Sequence, residues 1–505
     1  MKNFANNRLI IKNTVFLYFR MFIMMGISLY TSRVILNSLG VIDYGIYNLV
    51  GGVVLFFHFF NSTISGTLQR FFNVEMGEND GEQLNALLNS GILLQCLFSL
   101  IIILLSESFG IWLVNNYLKI TPDRLWAANV VFQLSIFTFC INLLRTPFQA
   151  ILVASEKMNF YAYISILEAL IKLGSASILN HIKYDKLVVY SLLQLVIVIL
   201  VLYFFVKEVN KQFGFKYKRF DTNLFPSIIS FSGWNLLGAS FALTVNQIMN
   251  IFLNVFYGVV TNAASALATQ ISSAINQFAA NFSMAFSPQI VKLYAANQIN
   301  EFRLLMFRAS KTSFLLYLMV ALPFICLADN LFLLWLVDIP DYAVLFSQLC
   351  VIDLAIESFT SPLYSSIQAS GRVKKFNIGI SIIFMFNIPL MYIALKYGYK
   401  PYDVFFVKIF VDIANLLFRV VYMCRYAPIS FVEYLHRVIF PCITVVILLL
   451  PVVFLIINQL NFIIKLVITL FLLCPLEIIA SLYLCYNFKE RNLVISMIKN
   501  RIHKR

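Results

Sequence analysis

Arg20 stands in the run VFLYFRMFIMMG, residues 15–26, with no acidic residue beside it to neutralise its charge. An arginine at the centre of a membrane helix costs roughly 2.5–3.5 kcal/mol on insertion scales, so its guanidinium is expected to face something that rewards it. A planar fork of N–H donors suits phosphate and other oxyanions. At 100° per residue, Asn13, Arg20 and Thr31 fall within about 40° of each other, which puts Arg20 on a polar stripe. Two readings are open: an inward-facing anion contact, or a side chain that snorkels the roughly 12 Å back to the helix start.

Asp353 and Glu357 lie four residues apart in another apolar segment and carry like charge. Two carboxylates so placed favour uptake of a proton or a cation, which makes them the candidate ion-coupling site. The alternative is that a neighbouring helix supplies Lys408 as a partner. Glu168 with Lys172, and Lys408 with Asp412, are opposite charges at i, i+4 and read as salt bridges along one helix face. His58 reads as a satisfied core imidazole. The chain has no nucleophile constellation and no phosphate-cradling glycine loop. Its eight cysteines lie mostly inside apolar runs without paired ligand spacing, so neither a metal site nor a disulfide framework is expected, and no cofactor.

The elements that must hold these groups are membrane helices. Of 505 residues, 61% are hydrophobic and only 12% charged, a composition outside the range of soluble globular domains. Fifty phenylalanines and 25 tyrosines suit lipid-facing surfaces and interfacial belts. The net charge of +15 resides in short basic clusters between apolar runs, as beside an anionic leaflet, so membrane lipids are expected partners and nucleic acid is not. With about 20 apolar residues per span, about fourteen segments qualify. The first, second, seventh and eighth run roughly over 12–36, 42–66, 225–256 and 261–289, and the twelfth over 402–424. The first continues past 20 residues with no small-residue cleavage site, so it reads as a retained helix.

Basic clusters such as Lys207, Lys211, Lys216, Lys218 and Arg219, and the tail after Lys489, place both termini in the cytoplasm. The outer connections are short, which argues against an integral-membrane polymerase or glycosyltransferase with its catalytic groups on a substantial loop.

The polar residues carry a duplication. TPFQAILVASEK at 146–157 and SPLYSSIQASGR at 361–372 share a hydroxyl-proline start, an Ala-Ser pair and a terminal basic residue. Asn48, Gly51, Leu55, His58, Ser62, Ser65 and Gln69 draw one helical stripe, and Asn262, Ser265, Thr269, Ser272, Asn276, Ala279 and Ser283 repeat it 214 residues on. Six spans separate the copies, so the halves are parallel repeats. The division is an N-lobe at 1–208, a cytoplasmic linker at 209–223, a C-lobe at 224–424, and two extra helices with a basic tail at 425–505. Packing of small residues explains the Ser and Gly positions. Asn48, His58, Asn276 and Gln69, with the seventh-span face of Ser240, Thr244, Gln247, Asn250 and Asn254, suggest that spans 1, 2, 7 and 8 line a polar cavity.

Six-helix parallel halves, an inside N-terminus, two extra C-terminal helices and the run SRVILNSLGVIDYGIYNLVGGVV at 32–54 together resemble the polysaccharide-exporter branch of the multidrug, oligosaccharidyl-lipid and polysaccharide exporter superfamily. Within it the chain is similar to O-antigen repeat-unit flippases. The resemblance implies two bundles around a V-shaped cavity, alternating access, and a bacterial inner-membrane carrier of undecaprenyl-pyrophosphate-linked glycan working beside other polysaccharide-assembly proteins. Arg20 is then expected to hold the pyrophosphate in the inward-open cavity. Arg145 would assist from the cytoplasmic mouth and Arg33 from the outer mouth, with anchoring at the interface as the alternative for both. Gln247, Asn250 and Asn276 would meet the sugars. A proton or sodium gradient through Asp353 and Glu357, together with the membrane potential, is the candidate energy source. A multidrug cation antiporter and a peptidoglycan-precursor flippase are the competing carriers.

Overall fold

A computed structural model describes residues 2–55, parts of 64–75, 81–214 apart from 156, 244–425 apart from 371–372, 429–459 and 461–486, with side chains from Ile23 onward. The described residues form helices and no strand. Ten helices among them are long and apolar enough to cross a membrane. Together with surfaces covered by residues such as Phe454, Phe471, Leu333 and Trp126, this makes the chain a multi-pass membrane protein.

The difference from about fourteen has separate origins. The first expected span and the described part of the second, up to Leu55, fall in one helical run, α1 (Lys2–Leu55), broken only at Gly40. The seventh lies partly outside the described residues, in 215–243. The eighth and twelfth coincide with α7 (Val259–Ala295) and α13 (Asp403–Cys424), whose hydroxyl, amide and charged side chains lower their apolarity.

The chain divides into two compact units, residues 1–266 with 335–341, and 267–334 with 342–505. The first contains both limbs of α1, α2 (Gly81–Leu105), α3 (Leu125–Ala154), α4 (Met158–Ile178), α5 (Lys186–Phe213), a helix α6 over 244–257, and the start of α7. This packing boundary at residue 266 lies C-terminal to the linker at which the sequence repeat divides.

The motif at 39–47 explains how α1 folds back on its unit. Gly40 has φ +77°, a conformation that costs L-residues with a side chain, and it turns the chain between the two limbs. Gly45 lies against the backbone of Val259, where a Cβ would overlap the carbonyl oxygen. Asn254 then holds α6 in place: its fully buried Oδ1 accepts the Lys119 amide at 2.7 Å, and the Lys119 ammonium donates to the Phe256 carbonyl at 3.2 Å.

Among the described residues, two apolar clusters contribute to the first unit's core. One gathers Ile46, Val50, Val131, Phe132 and Leu143; the other gathers Leu68, Leu88, Phe148, Ile197 and Phe205. Between them, α3 and α5 carry polar residues.

The second unit has one large cluster. It draws on α8 (Ile299–Trp335), α10 (Thr360–Ala369), α11 (Val373–Met385) and α13, with α14 (Phe440–Ile457) and α15 (Cys474–Leu484). The two additional C-terminal helices are therefore part of this unit's core through Cys442, Val445, Leu449 and Ala480. Lys311 of α8, 8% exposed, secures them: its ammonium donates to the Cys485 carbonyl at 2.6 Å and lies 5.4 Å from the Tyr486 ring. An ammonium at the carbonyl end of a helix is favoured by the helix dipole.

Candidate functional site

A cavity of about 450 Å³ lies within the first unit, among α1, α3, α4 and α5. α3 brings Arg145 to it, two residues before Pro147, and α4 brings Glu168 and Lys172 one turn apart. Arg145 Nη1 donates to Glu168 Oε2 at 3.0 Å, and Lys172 Nζ donates to Oε1 of the same carboxylate at 2.7 Å. One acid thus bridges two bases, leaving the group with a net positive charge.

Arg145 also lies 5.9 Å from the Phe205 ring, a cation–π contact that orients the guanidinium without consuming its donors. Among the described residues it spends a single N–H on a protein acceptor, so the fork retains capacity for a bound oxyanion. The rest of the wall is uncharged, part polar and part apolar, with Met24, Ile27, Ile35 and Ile164 among its residues. Thr31 and Ser165 hydroxyls donate back to the carbonyls of Ile27 and Tyr161, each at 2.7 Å, and Gln149 lines the same space.

The other residues singled out in the sequence are spread over both units. Arg20 has its backbone in α1, but its side chain lies outside the described residues, as does His58. Arg33 is half-buried and does not line the Arg145 cavity. Gln247 of α6 lies over Gly52, where a Cβ would meet its Oε1 at 2.9 Å. Asn250 is engaged within its own unit: Oδ1 accepts the Ser265 hydroxyl at 2.6 Å, and its carbonyl accepts the Asn262 amide at 2.8 Å. Asn276 is exposed in the second unit.

Asp353 and Glu357 have different environments despite their spacing. Asp353, on α9 (Ala343–Glu357), is 4% exposed and ion-paired with Lys408 of α13, whereas Glu357 is exposed. Lys408 also reaches Asp412 at 3.9 Å, so here one base serves two acids, and Arg419 of the same helix is within electrostatic reach of Asp412 and Glu357.

Sequence reasoning missed a third ion cluster. Arg124 clamps Asp43 on one side and Asp185 on the other, joining the connections around three helices of the first unit. Asp185 is also the N-cap of α5, accepting from the amides of Leu187 and Val188. Burial alone would raise its pKa, but the Arg124 hydrogen bond and these amides outweigh burial and hold the carboxyl below its ordinary range. The available signals were Asp43 in the Asp-Tyr-Gly run and Asp185 immediately before an apolar helix.

No protein-family model and no curated protein sequence matches the chain. Solved structures do. A structure of "Lipid II flippase MurJ, inward closed conformation" matches with a TM-score of 0.69 at 16% identity, covering 98% of this chain and 100% of that one. An inward-facing multidrug resistance MATE family transporter of the MOP superfamily matches with a TM-score of 0.58 at 14% identity, over 80% of this chain and 94% of that one. A MOP superfamily transporter from Pyrococcus furiosus gives 0.55 at 14% identity, over 82% and 96%. The chain has the fold of these transporters.

Proposed function

We propose that the chain is a flippase that moves an undecaprenyl-pyrophosphate-linked oligosaccharide, an O-antigen or other surface-polysaccharide repeat unit, from the cytoplasmic to the periplasmic leaflet of a bacterial inner membrane by alternating access. The observation that carries this reading is the net-positive Arg145–Glu168–Lys172 group facing a cavity among membrane helices. Basic side chains in such a place are costly unless an anion visits them. A lipid pyrophosphate is an anion that enters from within the bilayer, and arginine's fork matches its oxygens.

In this reading Arg145 and Lys172 receive the head group, with Arg20 and Arg33 along its route. Gln247, Asn250 and Asn276 meet the glycan. An inside-negative potential favours outward movement of the anion by about 2.3 kcal/mol per charge per 100 mV. Asp353 and Glu357 are proposed to couple a proton or sodium gradient, and other polysaccharide-assembly proteins are proposed partners. A second reading, a flippase for the peptidoglycan lipid precursor, is favoured by the likeness to MurJ along 98% of the chain, and it uses the same head-group chemistry.

Complementation separates the two. The chain is expected to restore surface glycan in a strain lacking its O-unit flippase, and to fail in one depleted of its lipid II flippase. Arg145→Ala, Lys172→Ala and Arg20→Ala should each lower rescue at least tenfold at equal expression, with Arg20→Lys intermediate. Full rescue by the alanine variants would refute the head-group assignment. Drug resistance without either rescue would favour cation efflux.

A further inference from the structure

A second cavity of about 180 Å³ lies within the first unit, where the second limb of α1, α3 and α5 converge. Asn48 comes from α1, Ser135, Thr138 and Asn142 from α3, and Ser191 and Gln194 from α5. None of the residues lining this cavity is charged. On α3 the three belong to a longer stripe. Ser135, Thr138, Asn142, Arg145 and Gln149 follow one another at steps of three and four, so they share one helix face. The first three line the neutral cavity, and the last two line the charged one beside Glu168 and Lys172. At 1.5 Å per residue the rise to Arg145 is about 4.5 Å from Asn142 and about 10 Å from Thr138.

The hydrogen bonds describe a wall that both gives and accepts. Thr138 and Ser191 spend their hydroxyl protons on their own helices, at the Leu134 carbonyl (2.7 Å) and the Leu187 carbonyl (3.0 Å), which leaves their oxygens as acceptors. Asn142 gives one amide N–H to the Thr138 carbonyl at 3.0 Å and keeps the second. Gln194 is 7% exposed, and its Nε2 has no hydrogen-bond partner among the described residues. A buried donor left unmatched is costly, so a visitor that accepts from it is rewarded. Two rings complete the wall: Phe139 is buried, and Tyr47 meets Tyr190 edge-on at 5.0 Å between centroids. On the α1 side a Cβ at Gly51 would meet nothing within 4 Å, so the backbone there borders open space.

We propose that this cavity holds one neutral pyranose ring, the sugar joined directly to the diphosphate that the Arg145 cavity receives. The inference rests on the reading of the chain as a carrier of lipid-linked glycan, and it gives the first sugar a place of its own. A charged ligand finds no counter-charge in this wall, whereas each sugar hydroxyl gives and accepts at one atom and so matches interleaved donors and acceptors. The apolar C–H face of the ring has Tyr47 and Phe139 to pack on. The volume equals about six water molecules at roughly 30 Å³ each, about what one hexose displaces and too little for two. The shared face of α3 sets the two cavities one to two helical turns apart, the span from a diphosphate to the ring bonded to it.

Saturation-transfer NMR on the purified full-length protein in lipid nanodiscs tests this, because alkyl glycoside detergents would compete. The probes are the methyl pyranosides of glucose, galactose, mannose, rhamnose and N-acetylglucosamine, and binding of inorganic pyrophosphate is read separately by calorimetry. At least one glycoside is expected to bind saturably. Thr138→Val, which keeps shape and removes an acceptor, and Asn142→Leu should each weaken it about tenfold. Gly51→Leu, which puts a side chain into the open space, should abolish it, and Thr138→Ser should retain it. Monodisperse size-exclusion profiles establish that each variant is folded, and the near-isosteric valine carries the test if a leucine variant is not. Binding by none of these glycosides, meaning a cavity that holds water alone, would overturn the proposal. So would binding that Thr138→Val leaves unchanged. Pyrophosphate binding without glycoside binding sinks this inference and leaves the head-group reading standing; glycoside binding without pyrophosphate binding keeps the sugar site and refutes the head-group reading.

Discussion

The two units hold mirror-image charge groups. In the first, Glu168 bridges Arg145 and Lys172 beside a cavity, with side chains 17–36% exposed. In the second, Lys408 bridges Asp353 and Asp412, and Asp353 is almost fully buried. Taken as ion-paired trios, one has two bases to one acid beside a cavity and the other two acids to one base enclosed by protein, with Arg419 in electrostatic reach of Asp412. The first arrangement is equipped to receive an anion. The second encloses its acids around a single lysine. Two units built from the same kind of helix thus differ in the sign and enclosure of their charge groups.

The largest break in this comparison should come from Lys408→Met. It strands two acids in the second unit and should cost about 3–5 kcal/mol of stability, the usual penalty for uncompensated buried charge. Thermal unfolding in detergent measures it, and adding Asp353→Asn should recover much of the loss. Glu168→Gln should be milder, about 1–3 kcal/mol, because Arg145 and Lys172 are partly exposed to the cavity. Its sharper effect should be functional: the cavity gains a positive charge, so binding of inorganic pyrophosphate, read by calorimetry, should tighten while release slows.

Lys311→Met removes the ammonium from the Cys485 carbonyl and should cost about 1–2 kcal/mol. Hydrogen exchange is expected to rise in α14 and α15 and to stay constant in the first unit. The smallest effect belongs to Asp185→Asn, about 1 kcal/mol or less given the partial exposure of the pair. Its pH signature is specific. Because the folded pKa lies below the unfolded one, the carboxylate stabilises the fold above the ordinary pKa near 4, and that stability is lost as pH falls through the lower folded value. Stability profiles of parent and variant should therefore differ at neutral pH and converge below about pH 4.

Much of the fold was legible because lipid leaves few alternatives: long apolar runs must be helices, since a spanning backbone has to satisfy its own hydrogen bonds. The two stretches read as copies in the sequence can be compared locally. Gly40 and Gly258, both at positive φ, turn the chain between the first two helices of each repeat. Local structure nevertheless diverged between copies. Pro147 lies inside the continuous α3, whereas Pro362 sits in the first turn of α10, after a break at 358–359. The i, i+4 pairs Glu168–Lys172 and Lys408–Asp412 could be read directly, because both partners share one helix face.

Composition and periodicity alone determined that this is a helical, multi-pass membrane chain with a few ionisable groups that need a reason to be there. Only the tertiary structure decided which charges meet. Arg145 finds Glu168 across 23 residues, Arg124 finds Asp43 across 81, and Lys408 finds Asp353 across 55. The physical reason is one of range. Helical periodicity orders neighbours within a few turns of one segment, whereas the sign and enclosure of a charge cluster depend on which helix faces pack together, and packing in lipid is set by shape and close approach, as where Gly45 admits Val259.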